Sequence, residues 1–196
     1  MIIPNNDLVY EKKLVLLGSS TVGKTSILNR LMRDSFTNET VNTIGSSVKT
    51  KDITVDNITV QLQIWDTGGH ERFKSLTPMY FHDADACIIV YDITSQQSFQ
   101  EAEYWLHDLN EKGPSNILIA LAGNKLDLAS LRAVSTVNGK GFAEKNCIPV
   151  FMETSAQSGE NITELFTDVA RNIVATQPAI RSRSNFPEEK EDKSCC

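Results

Sequence analysis

Residues 18–25 read Gly-Ser-Ser-Thr-Val-Gly-Lys-Thr and follow the apolar run Leu14-Val15-Leu16-Leu17 directly. A helical pattern from Ser26 to Met32 comes next. The string G-x-x-x-x-G-K-[ST] in that place commits the chain to a strand, a tight loop and a helix in succession. The glycines let backbone N–H groups curl around a polyphosphate, which makes the amides of Ser20, Thr21, Val22, Gly23, Lys24, Thr25 and Ser26 its candidate donors. Lys24 adds a point charge for the β- and γ-phosphates. The Thr25 hydroxyl is a ligand for Mg²⁺, and the start of the helix favours anionic oxygens. The plain alternative is a Gly-rich turn with no ligand, and the flanking strand and helix speak against it.

The 196 residues suffice for one domain with a tail left over. A net charge of −6 argues against a nucleic-acid surface but not against a nucleotide, whose phosphates meet a local nest and one cation. No apolar run approaches the length of a membrane span. The start, Met1-Ile2-Ile3-Pro4-Asn5-Asn6-Asp7, is too short and polar for a signal peptide and has no glycine for myristoylation. Of the four cysteines, Cys87 and Cys147 adjoin apolar residues and read as small packed hydrophobes in a reducing compartment. The N-x-T triplets at Asn38, Asn57 and Asn161 then carry no glycan.

Further along, residues 34–47 form a polar loop without period, and 48–55 and 58–65 alternate as a hairpin around Asp56-Asn57. Residues 66–83 read as a mobile polar stretch. Strands are expected at 86–91, 117–122 and 149–152. Phe99, Ala102, Trp105, Leu106 and Leu109 mark a helix capped by Ser95 or Ser98 and ended by Gly113-Pro114. A weaker helix covers 137–145, and Ile162, Leu165, Phe166, Val169 and Ile173 mark the last. Alternating strands and helices, with strands apolar on both faces, predict a largely parallel sheet covered by helices. Its ligands sit beyond the carboxyl ends of the strands, where each motif falls. From Thr176 the periodicity ends, and 177–196 reads as a disordered tail.

Three further motifs carry chemistry. In Trp65-Asp66-Thr67-Gly68-Gly69-His70-Glu71, an Asp ending a strand can hold Mg²⁺ through a water, and the Gly69 N–H can approach a γ-phosphate. Asp66 alone reads equally well as a turn cap. In Asn124-Lys125-Leu126-Asp127, a carboxylate accepts from the N1–H and N2–H₂ edge of guanine, whereas adenine opposes it with a lone pair. A buried unsatisfied group costs about 1–3 kcal/mol, so Asp127 can separate GTP from ATP. Asn124 can tie loops together, and the Lys125 stem can cover the base. In Glu153-Thr154-Ser155-Ala156-Gln157, the N–H groups of Ser155 and Ala156 can meet the guanine O6. Each of these strings is weak alone, and their order behind the phosphate loop is what makes them specific.

With these residues in place, the chain resembles the small GTPases of the Ras superfamily, and most closely the Rab family, over about residues 8–176. Glu71-Arg72-Phe73 and Tyr91-Asp92-Ile93-Thr94 look Rab-like. Ser75-Leu76, Pro78-Met79-Tyr80 and Met152-Glu153-Thr154-Ser155-Ala156 are similar to the early-endosomal branch. The resemblance implies an α/β fold of the P-loop NTPase kind, with a six-stranded, mostly parallel sheet and helices on both faces. It implies an extension over 1–10, a GTPase domain over 11–176 and a hypervariable tail over 177–196. It makes Thr43 a switch residue that ligates Mg²⁺ in the GTP state, packs Phe36 on the guanine, adds Gln157 to the base loop, and places two switches at 36–48 and 66–82. Ile44, Val48, Trp65 and Tyr80 would read the nucleotide state out to effectors, although Val48 stands where the family usually has Phe.

The family's Asp-Thr-Ala-Gly-Gln reads Asp66-Thr67-Gly68-Gly69-His70 here. The missing Gln orients the attacking water through a donor and an acceptor side by side. A neutral imidazole carries them on opposite edges, so His70 cannot reproduce both contacts, and Gly68 adds backbone freedom. Catalysis would therefore rest on Lys24, Gly69 and a poorly suited His70, with slow hydrolysis of GTP to GDP. Gln157 replaces a frequent Lys, with little expected effect because backbone groups dominate there.

By the same resemblance Cys195 and Cys196 are geranylgeranylated, and two lipids anchor stably where one is marginal. The segment from Arg181 to Lys193 balances four basic against four acidic side chains, so electrostatics adds little to anchoring. Effectors, an exchange factor, a GTPase-activating protein, a prenylation escort and a GDP-dissociation inhibitor are the implied partners. The implied place is the cytoplasmic face of an intracellular membrane and the cytosol. A GTP-gated binding module with negligible turnover stays open as an alternative. So does a P-loop ATPase or nucleotide kinase, although Asp127 and the lack of a lid segment speak against it.

Overall fold

The computed structural model describes residues 9–33, 46–68 and 77–176. They build a six-stranded sheet in the order β2-β3-β1-β4-β5-β6. β1 (Val9–Leu17) lies at its centre, parallel to both β3 (Ile58–Thr67) and β4 (Ala86–Asp92). β5 (Leu118–Asn124) and β6 (Val150–Glu153) continue the parallel order, and β2 (Ser46–Val55) alone runs antiparallel, against β3. The β2–β3 turn follows from Asp56 and Asn57, which take φ of 49° and 65°. Two successive positive values fit the right-handed twist of a two-residue hairpin.

Side chains alternate between two buried layers. Leu14, Leu16, Leu62, Ile64, Ile88 and Val90 face α1 (Lys24–Arg33) and α5 (Ile162–Thr176), where Ile27, Leu28, Phe166 and Val169 meet them. Val15, Leu17, Cys87, Ile89 and Leu121 face the other side, against α3 (Gln96–Lys112), α4 (Thr136–Lys145) and the short α2 (Thr77–Phe81). Every residue of β4 is buried, as a parallel strand covered on both faces requires. The expected α/β architecture with helices on both faces is the one observed. Ser95 rather than Ser98 caps α3, its hydroxyl accepting from the Ser98 N–H at 3.2 Å. The polar stretch at 66–83 is partly regular, because Asp66 and Thr67 complete β3 and 77–81 is helical.

One expectation is overturned. Cys147 is exposed rather than packed. It takes φ of 54° just past α4, where its N–H bonds to Glu144 O at 3.2 Å and the Ile148 N–H bonds to Ala143 O at 2.9 Å. That pair of bonds is a Schellman ending, which puts a left-handed residue outward and the next apolar residue inward. Ile148 accordingly takes the buried place, at 8% exposure. Lys12, though charged, is 5% exposed in β1 and satisfied by Asp85 Oδ1 at 3.0 Å.

Candidate functional site

The carboxyl ends of β1, β3, β4, β5 and β6 carry one group of polar residues. After β1 the chain turns through Gly18 at φ 141°, Thr21 at 67° and Gly23 at 100°. A Cβ on Gly18 would stand 2.2 Å from Val90 O, and one on Gly23 2.3 Å from Asn124 Nδ2, so neither position admits a side chain without displacement. α1 then begins at Lys24, with Thr25 and Ser26 in its first turn. Lys24 is 5% exposed, and its ammonium donates to Gly18 O and Ser19 O, both at 2.8 Å. Burial pushes it down to about 8, against the raising influence of Asp66. Ser20, Thr21 and Val22 form the turn between, Val22 buried and Thr21 exposed.

Thr25 Oγ1 donates to Asp66 Oδ2 at 2.6 Å. Asp66 is 1% exposed, and its Oδ1 has no hydrogen-bond partner among the described residues. Desolvation raises its pKa, while the Thr25 bond and the charges of Lys24 and Lys49 lower it. A buried carboxylate oxygen left bare is costly. A hydroxyl and a carboxylate side by side suit a hard cation that keeps most of its own water, as Mg²⁺ does. Among the described residues no three His, Cys, Asp or Glu cluster as a metal site.

The second half comes from β5 and β6. Asn124, the last residue of β5, donates through Nδ2 to Val22 O at 2.9 Å. Its Oδ1 accepts from Ala156 N at 3.2 Å and Thr154 Oγ1 at 3.3 Å. One buried side chain thus ties the phosphate loop to the loop after β6. Lys125 takes φ of 70°, and its ammonium pairs with Asp92 Oδ2 at 2.6 Å. Asp92, ending β4, also accepts from Thr94 N at 2.8 Å and Thr94 Oγ1 at 2.7 Å. Asp127 lies in the first turn of a 3-10 segment, Leu126–Leu131, and accepts from Ser155 Oγ at 2.5 Å. Ser155 and Ala156 are buried while Gln157 is exposed.

Three residues proposed to read out the site lie on one face. Val48 pairs with Trp65 across β2 and β3, and the Trp65 and Tyr80 rings lie 6.4 Å apart. Lys13 Nζ stands 4.4 Å from the Trp65 ring centroid. Phe36, Thr43, Ile44, Gly69, His70, Cys195 and Cys196 lie outside the described residues.

Sequence reasoning did not give site roles to Asp92, Arg30, Arg132 or Glu153. Arg132 grips Glu153 with both arms, Nη1 to Oε1 at 2.5 Å and Nη2 to Oε2 at 2.9 Å, and Thr136 Oγ1 adds a bond at 3.0 Å. This pair joins the end of the 3-10 turn to the end of β6. A bidentate Arg–carboxylate pair has no spacing signature, because its partners meet only through the fold.

A family model described as "Ras family" matches residues 13–175. The chain is 44% identical over 172 residues to the Ras-related protein Rab-5A of Dictyostelium discoideum, covering 88% of this chain and 85% of the relative. It is 46% identical over 173 residues to the GTP-binding protein ypt5 of Schizosaccharomyces pombe (strain 972 / ATCC 24843), covering 87% and 81%.

Proposed function

Because this chain belongs to the Ras family, in its Rab branch and alongside the early-endosomal members, we propose that it binds GTP with Mg²⁺ and acts as a slowly resetting switch of endosomal membrane traffic. The carrying observation is the Thr25–Asp66 pair beside the buried Lys24. Two charges held from water, one with a bare oxygen, are a frame completed by a polyphosphate and its cation. The amides of residues 20–26 and Lys24 hold the phosphates. Thr25, Asp66 and Thr43 hold the ion, which when bound neutralises charge on the phosphate oxygens.

Asp127, oriented by Ser155 Oγ, accepts from the guanine edge, while Asn124 braces the loops and the Lys125 stem flanks the base. The Ser155 N–H is taken by Glu160 O at 3.0 Å and the Ala156 N–H by Asn124 Oδ1 at 3.2 Å, so of the three loop amides expected at the 6-oxo group the Gln157 N–H is the donor left to meet it, with Phe36 packing nearby. Gly69 and Thr43 sense the γ-phosphate, and Ile44, Val48, Trp65 and Tyr80 present the outcome to effectors. Prenyl groups on Cys195 and Cys196 supply the membrane anchor. Among the described residues no helix is long and apolar enough to cross a bilayer.

Two measurements test this. Purified full-length protein with Mg²⁺ should prefer GDP and GTP over ADP and ATP, and equal affinity for both purines refutes the reading. In single-turnover hydrolysis, His70→Gln should accelerate the rate by on the order of 10²-fold, the usual worth of one positioned group. No gain there would mean that His70 does not limit the reaction. A wild-type rate indistinguishable from buffer would favour the binding-module reading.

A further inference from the structure

Arg30 belongs to none of the motifs, yet it joins the two ends of the site. It rides on α1, the helix that opens with Lys24 and Thr25. Its Nε donates to Ala156 O at 2.9 Å, and its Nη2 donates to Gln157 O. Gly159 packs beside it, where a Cβ would stand 3.5 Å from Arg30 Cδ at a φ of 90°. The Gly159 N–H closes the loop on Ser155 O at 2.8 Å, and the Ser158 N–H does so on Ser155 Oγ at 3.0 Å. In a trans peptide the carbonyl of one residue and the N–H of the next point opposite ways in one plane. Drawing the Ala156 carbonyl toward α1 therefore turns the Gln157 N–H to the other side of the loop.

We infer that Arg30 is a positioning residue for base recognition: by holding the Ala156 and Gln157 carbonyls, its guanidinium aims the Gln157 N–H at the 6-oxo group of a guanine nucleotide. This rests on the guanine reading of the site given above. Charge-assisted bonds from a planar fork hold two consecutive carbonyls in a way a single ammonium cannot. The helix that starts at the phosphates thereby sets the geometry at the base, so the two ends are not independent.

The test compares the full-length protein with Arg30→Ala and Arg30→Lys. Competition against fluorescent GDP gives affinities for GDP, for ADP and for the diphosphate of 2-aminopurine riboside, which keeps the 2-amino group but lacks both the 6-oxo group and the N1–H. Arg30→Ala should weaken GDP about ten-fold, Arg30→Lys about three-fold, and neither should change the 6-deoxo analogue beyond about two-fold. Equal weakening of GDP and the analogue overturns the inference, because a merely loosened fold affects both. Unchanged GDP affinity in either variant overturns it too, so Arg30→Lys suffices should the alanine variant not fold. If the unsubstituted protein holds ADP as well as GDP, the guanine reading and this inference fall together, and that outcome is visible before any variant is made.

Discussion

At the phosphate end, residues 18–25 supply a turn, a cation and a hydroxyl in one unbroken string, and among the described residues Asp66 joins them from β3. At the base end, Asn124 closes one strand with Lys125 and Asp127 just beyond it, Ser155 and Ala156 follow another, and Asp92 closes a third. The charges differ as well. Among the described residues, buried Lys24 donates to backbone carbonyls, and Asp66 keeps a bare oxygen. Lys125 is paired with Asp92, and Asp127 is engaged by Ser155. The phosphate end is an unfinished electrostatic frame that a charged ligand completes, which is a source of affinity. The base end already satisfies itself and presents a fixed pattern, which is a source of selectivity.

Breaking the backbone of the phosphate end should have the largest effect. Gly18→Ala puts a Cβ against Val90 O at 2.2 Å with φ at 141°, and should cost about 3 kcal/mol or more in urea unfolding. An unchanged midpoint would show that this turn relaxes freely. Asn124→Ala removes the brace shared by both ends, with its bonds to Val22 O, Ala156 N and Thr154 Oγ1. At about 1 kcal/mol for each lost bond, GDP release should quicken on the order of 10²-fold. Loss of base preference with no change in overall retention would instead confine Asn124 to the base end.

Arg132→Ala strips Glu153 of its ion partner, although the Glu153 side chain is only 10% exposed. It should lower stability by about 2–3 kcal/mol, less than a fully buried pair would lose. Arg132→Ala with Glu153→Gln should recover part of that, as read by thermal unfolding of the GDP-bound protein.

The smallest effect belongs to the readout face. Lys13→Ala loses the contact over the Trp65 ring and the ion pair with Asp83, for about 0.5–1 kcal/mol. The Lys13 hydrogen bond holds the Asp83 carboxyl below its ordinary value. Its contribution is therefore complete above the unfolded pKa of about 3.9 and fades as pH falls through the lower folded value. The substitution should flatten that part of the acid limb of the stability curve and leave neutral nucleotide affinity unchanged.

Most of the fold was legible because its signals are local. The apolar runs of β1, β4 and β5, the Asp56-Asn57 turn and the Ser95 cap each act through neighbours in the chain. Cys147 was misread because its outward turn depends on how α4 ends, and no glycine marked that ending. The start of β5 was expected one residue early, and its end ran on to Asn124, because pairing with β4 carries Gly123 and Asn124 into the sheet.

The sequence by itself determined the parallel sheet, the phosphate loop and the order of the motifs, because periodicity and short-range spacing are properties of adjacent residues. Only the tertiary structure decided that Asn124 spans to Val22, that Arg30 reaches Ala156 and Gln157, and that Arg132 meets Glu153. Such bonds form between residues far apart in the chain, and their partners become neighbours only once the strands have paired and the helices have packed.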